Sequence, residues 1–199
     1  MNGNLELIKV GAYHESGHVV IGYLMGYSVE YMSLDPNDPG AGVSKMNYGE
    51  DLIIITSLLH PYDFFEIYNE LPIDRKAQTP EIGDKIHKIF VAGSCSEAFY
   101  KNEILHIEDN VGEISGPDLE CINMIQKSFI MLGIPFAESR HQKIFNIIYK
   151  NLYSVEIKKA IESLVKIVIQ KDNYSLNQKE IEKVLDDCGY LNFIKDLNP

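Results

Sequence analysis

The sequence predicts a mainly helical single domain over residues 1–199, with a small β-ribbon or sheet. Three observations predict it. A proline-free stretch, Leu5–Met25, is closed by Gly26; two short runs of strand character flank the turn-rich Asp35–Gly40; and Thr79-Pro80-Glu81 opens a second series of apolar residues at helical spacing.

In the first stretch Leu5, Ile8, Ala12, Val19, Tyr23 and Met25 recur without a breaker, and Gly26 stands where a helix C-terminus favours glycine. Ser28 to Leu34 alternates and includes Val29, Tyr31 and Met32; Asp35-Pro36-Asn37-Asp38-Pro39-Gly40 then makes a loop before Val43 to Tyr48. Two strands joined by that loop are expected. Glu50 to Asn69 is rich in Ile, Leu and Phe, and its periodicity fits either a buried strand or a helix interrupted at Pro61.

Thr79 is a good N-cap, Pro80 suits the first helical position and Glu81 the first turn, so a second long helix is expected from there to about Tyr100. After the loop Lys101 to Ser115, the run Ser115-Gly116-Pro117-Asp118-Leu119-Glu120 reads as another helix start, ended near Gly133 and Pro135. An Ile-rich amphipathic pattern extends from about Glu138 to Gln170. Asn177 and Glu180 form a capping box for a last short helix ending before Gly189.

Composition narrows the function. A formal charge of −11, from 18 basic against 29 acidic residues, repels phosphate backbones and excludes nucleic-acid binding as the main task. No apolar run reaches the length of a membrane span, and the start MNGNLELIKVG lacks the basic and apolar regions of a signal peptide, so a soluble cytoplasmic protein is expected. Cys95, Cys121 and Cys188 are odd in number and widely spaced, which fits reduced thiols rather than a disulfide or zinc-ribbon framework.

The first helix contains His14-Glu15-Ser16-Gly17-His18, an H-E-x-x-H motif. Residues four apart project from one helical face, so both imidazoles can reach one metal while Glu15 meets a water beside it. Zinc is the expected metal, because two imidazoles, one carboxylate and an open fourth position form a common catalytic zinc site. Two histidines and a glutamate among Val19, Val20 and Ile21 are costly to bury without partners. Metzincins are excluded, since Ile21 and Leu24 occupy the positions of their glycine and third histidine. Glu97, His106, Glu108, Asp109, Glu113, Asp118 and Glu120 are candidates for the third ligand, and their spacing does not choose among them.

The run from Ala12 to Val20 resembles the zinc helix of the FtsH family of membrane-anchored, ATP-dependent zinc proteases, which reads A-x-H-E-A-G-H-A. Val91-Ala92-Gly93-Ser94-Cys95-Ser96-Glu97 is similar to the family's L-A-G-R-A-A-E helix. Gly116-Pro117-Asp118-Leu119 resembles its N-D-L segment, with Pro117 in place of the asparagine, and Leu132-Gly133-Ile134 follows where the family has a G-M pair. Tyr174-Ser175-Leu176 through Val184-Leu185 is similar to its T-L-x-x-x-E-I-x-x-I-L end.

The resemblance implies a zincin-type, FtsH peptidase-like fold and a zinc-dependent metallopeptidase with Asp118 as third ligand. It also places Glu97 on the helix behind the zinc helix, where a carboxylate can orient a ligand histidine. Cys121, one turn beyond Asp118, is expected beside the site rather than on the metal. The chain has no G-x-x-x-x-G-K-[ST] run, and Gln142 to Gln170 does not reproduce the family's arginine-rich helix; residues 50–75 are extra or different material. A polypeptide substrate is therefore expected to reach the site without an ATPase in this chain, either autonomously or through a homo-oligomer or a separate ATPase. The alternative is a non-catalytic or partner-activated regulatory module of the same fold. An extended substrate is expected to pair along the strand Val43 to Tyr48.

Overall fold

The structure is a computed structural model, described for residues 2–38, 40–104, 114, 116–134 and 138–197. It is mainly helical with one three-stranded antiparallel sheet. The first helix, α1 (Asn2–Leu24), is buried on nearly every side from Gly11 to Gly22 except at His14, which explains its lack of a polar face. Gly26, at φ +91°, follows it and turns the chain into β1 (Ser28–Leu34).

β1 pairs with β2 (Gly42–Asn47), Met32 opposite Ser44 and Leu34 opposite Gly42, with an irregularity between Val29 and Tyr31. Both strands coincide with those expected, to within one residue at β2. A third strand, β3 (Ser175–Asn177), lies on the other side of β1 and is not expected from the sequence: three residues are too few to display alternation, although Leu176 is fully buried. The sheet order β2-β1-β3 leaves β2 as an edge.

After a 3₁₀ turn, Gly49–Asp51, come α2 (Leu52–Leu59) and α3 (Phe64–Glu70), so the ambiguous segment is helical and broken around Pro61. The next helix, α4 (Ile73–Phe99), corrects the expected start at Thr79: it begins six residues earlier and carries Pro80 inside. Proline forgoes one intrahelical bond. The upstream turns are instead secured by Arg75, which donates to Asp51 Oδ1 (2.7 Å), the Glu50 carbonyl (2.9 Å) and Gln78 (2.6 Å). One π-helical turn, Tyr100–Ile104, ends it.

The expected helix at Gly116 is α5 (Gly116–Met131). The amphipathic pattern from Glu138 onward divides into α6 (Glu138–Asn151) and α7 (Val155–Val168), because Ser154 adopts extended backbone and its hydroxyl accepts from the Ile157 N–H at 3.2 Å. The Asn177–Glu180 capping box opens α8 (Gln178–Asp187), with both reciprocal bonds formed. A further helix, α9 (Tyr190–Leu197), follows Gly189 and corrects the expectation that α8 is the last. Tyr190 docks it by donating to the Val20 carbonyl of α1 at 2.9 Å.

Buried apolar side chains form one continuous cluster, with α1 lying against α4, α7 and the sheet. The three cysteines are free thiols, Cys95 buried and the other two half-buried. Among the described residues no helix is long and apolar enough to cross a membrane.

Candidate metal centre

α1 and α4 cross closely around Gly17, where an added Cβ would stand 2.5 Å from the Ala92 carbonyl oxygen and 2.7 Å from Ser96 Cβ. That proximity presents His14 and His18 to α4. His18 Nδ1 donates to the Ile89 carbonyl at 2.7 Å, and His14 Nδ1 donates to Glu97 Oε2 at 3.3 Å. Both partners are acceptors, so each ring commits its Nδ1 proton outward and turns Nε2 toward the other.

The two Nε2 atoms are 3.1 Å apart. Asp118, in the first turn of α5, brings Oδ2 to 3.2 Å from each of them. Two neutral imidazoles with protonated Nδ1 and a carboxylate would leave three lone pairs converging with no proton between them. A positive charge at their centre resolves the repulsion, whether a proton or a metal ion.

The triangle fits zinc. Tetrahedral bonds of about 2.0–2.1 Å place neighbouring donor atoms roughly 3.3 Å apart, close to the observed separations of 3.1, 3.2 and 3.2 Å. The donor set of two imidazole nitrogens and a carboxylate oxygen suits the same ion. Among the described residues, His14, His18 and Asp118 form the one group of this kind.

Electrostatics follow from the contacts. Burial opposes a charged His14 ring, yet hydrogen bonds to Asp118 and Glu97 outweigh it and hold its pKa up at about 10 in the metal-free protein. The hydrogen bond with His14, together with Lys101 at 2.7 Å, brings the Glu97 carboxyl down to about 2 despite its burial. Burial raises the Asp118 carboxyl, but hydrogen bonds from both imidazoles hold it well below the usual range. Burial first, then Asp118 and Glu120, push the Cys121 thiol up, so it stays a neutral neighbour.

Glu15 lines the same cleft as the triad and is only 5% exposed. Its Oε2 accepts from Ser44 Oγ of β2 at 2.7 Å. Gly42 provides the space: a Cβ there would lie 2.6 Å from Glu15 Cγ and 3.0 Å from Oε1. Gly93 does the same for the imidazoles, because its Cβ would lie 2.4 Å from His18 Nε2 and 2.6 Å from His14 Nε2. His14, Glu15, His18, Asp118 and Glu97 all line one cleft of about 540 Å³, bordered by β2 on one side and the start of α5 on another.

The remaining third-ligand candidates divide simply. Glu120 is exposed and outside the cluster, whereas His106, Glu108, Asp109 and Glu113 lie outside the described residues. Sequence reasoning missed Ser44, the Ile89 carbonyl and the clearance at Gly42. Only the first had any signal, as a polar residue on a short strand. No family model and no curated protein matches the chain.

Proposed function

We propose that the chain is a zinc-dependent metalloendopeptidase that hydrolyses peptide bonds in polypeptide substrates, with a zincin-type site of the FtsH-like kind. The observation that carries this reading is the convergence of His14 Nε2, His18 Nε2 and Asp118 Oδ2 within 3.2 Å of one another, beside the buried carboxylate of Glu15. A purely structural metal site has no use for a base beside its ligands. His14, His18 and Asp118 would hold the zinc, which when bound would supply Lewis-acid polarisation of the scissile carbonyl and acidification of water.

The chain's own residues do the rest. Glu97 and the Ile89 carbonyl fix the orientation of the two rings, so Nε2 of each stays on the metal side. Ser44 holds one oxygen of the Glu15 carboxylate. Glu15 takes a proton from water as its oxygen adds to the carbonyl carbon, then returns it to the amine nitrogen as the C–N bond breaks. The edge strand β2 borders the cleft and offers backbone groups to an extended peptide.

Purified protein is tested by elemental analysis and by cleavage of casein and a quenched-fluorescent peptide library, before and after chelation. The reading expects about one zinc per chain, from a single three-ligand site. It also expects cleavage that disappears with the metal and returns when zinc is restored. Protein that takes up no zinc, or hydrolyses nothing when loaded, contradicts it.

A further inference from the structure

Tyr48 follows β2 and lines the cleft that contains His14, Glu15, His18 and Asp118. Its ring is half-buried and meets Tyr27 edge to face, with centroids 5.3 Å apart. Tyr27 is itself fixed, because its hydroxyl donates to Asp51 Oδ2 at 2.8 Å and Asp51 is paired with Arg75 at 2.7 Å. Tyr27, held in this way, braces the Tyr48 ring on one side. No hydrogen bond ties the Tyr48 hydroxyl to another described residue, and it remains reachable from the cleft.

A tyrosine on the cleft wall whose hydroxyl bonds no other described residue presents a donor to whatever enters the cleft. In a cleft built for carbonyl chemistry it has a use. Preorganised donors aimed at developing negative charge contribute strongly to catalysis because they need no rearrangement during the reaction. In the metal-free protein burial, then Cys121 and Asp118 nearby, push the Tyr48 phenol up to about 12.

We propose that Tyr48 is a further catalytic residue of this site, whose hydroxyl donates a hydrogen bond to the scissile carbonyl oxygen of the peptide as that oxygen becomes anionic. This inference rests on the peptidase reading above. No bond to Tyr48 forms or breaks, and its proton remains on the phenol.

The test compares zinc-loaded wild type with Tyr48→Phe, using a cleaved reporter peptide and a phosphinate peptide whose tetrahedral anionic centre imitates the charged intermediate. Removing one such donor costs on the order of a hundredfold in kcat. KM should stay within about twofold, because the ground-state carbonyl carries little charge. Phosphinate affinity should fall in parallel with kcat, while zinc content and thermal midpoint remain those of wild type. If the variant cleaves as fast as wild type, or loses only KM, Tyr48 is not the donor and the peptidase reading stands. Wild type that neither cleaves peptides nor binds the phosphinate overturns both.

Discussion

The His14 ring is held between two carboxylates: Glu97 Oε2 is 3.3 Å from its Nδ1, while Nε2 on the other side meets Asp118. The two acids therefore have different tasks on one imidazole. Glu97 fixes which nitrogen carries the proton, and Asp118 shares the metal position. Both carboxyls are kept ionised by these contacts, so the difference between them is geometric rather than one of charge.

That division predicts a ranking. Asp118→Asn should weaken zinc binding far more than Glu97→Gln, because an amide is a poor zinc ligand and Asp118 Oδ2 contacts both imidazoles. Loss of the orienting carboxylate should cost about tenfold to a hundredfold in affinity. Chelator competition on the two variants measures the order directly, and equal losses, or the reverse order, would remove Asp118 from the ligand set.

Gly93→Ala separates the site from the fold. The new methyl would occupy space held by both Nε2 atoms, at 2.4 and 2.6 Å, and the three atoms nearest to it all belong to these rings. Alanine also favours the helix over glycine by about 1 kcal/mol. Displacing two hydrogen-bonded rings costs about 1–3 kcal/mol, so the expected protein is folded, with a metal-free thermal midpoint equal to or below that of wild type, and has at least about a tenfold loss of zinc affinity, comparable with disrupting ligand orientation. Normal zinc binding in this variant would show that the imidazoles do not need the present geometry.

Zinc affinity should rise with pH. With its pKa held up at about 10, the metal-free His14 ring is protonated at neutral pH, and zinc must displace that proton to reach Nε2. One displaced proton makes the apparent association constant climb about tenfold per pH unit between roughly pH 7 and 9. Competition titrations corrected for chelator protonation give the slope. A flat profile would mean that zinc does not replace a proton on His14.

Much of the site and of the helix boundaries is legible in the amino-acid sequence because it is local. The spacing of His14 and His18 fixes their common face once α1 is helical, and the Asn177–Glu180 capping box is a four-residue pattern. Asp118 is legible only through the resemblance, since a contact across 104 residues leaves no periodic trace. Ser44 gives only the weak signal of a polar residue on a short strand, because its bond to Glu15 depends on how β2 packs over α1. The division of α6 from α7 is blurred for the opposite reason: Ile-rich periodicity continues across Ser154, and one N-cap decides the break. Pro80 misplaces the start of α4 because it has the sequence look of a first-turn proline, while the bonds that secure the upstream turns come from the distant Asp51 and Glu50.

The most direct measurement is single-turnover peptide cleavage by zinc-loaded wild type and Glu15→Gln, with metal quantified in the same samples. Glutamine preserves the shape of the buried side chain and can still bond Ser44, but it cannot take a proton. Equal zinc is expected in the two proteins, with a rate lower by about a hundredfold to ten-thousandfold in the variant, the usual contribution of a general base. Equal cleavage rates at equal zinc content would contradict that role for Glu15.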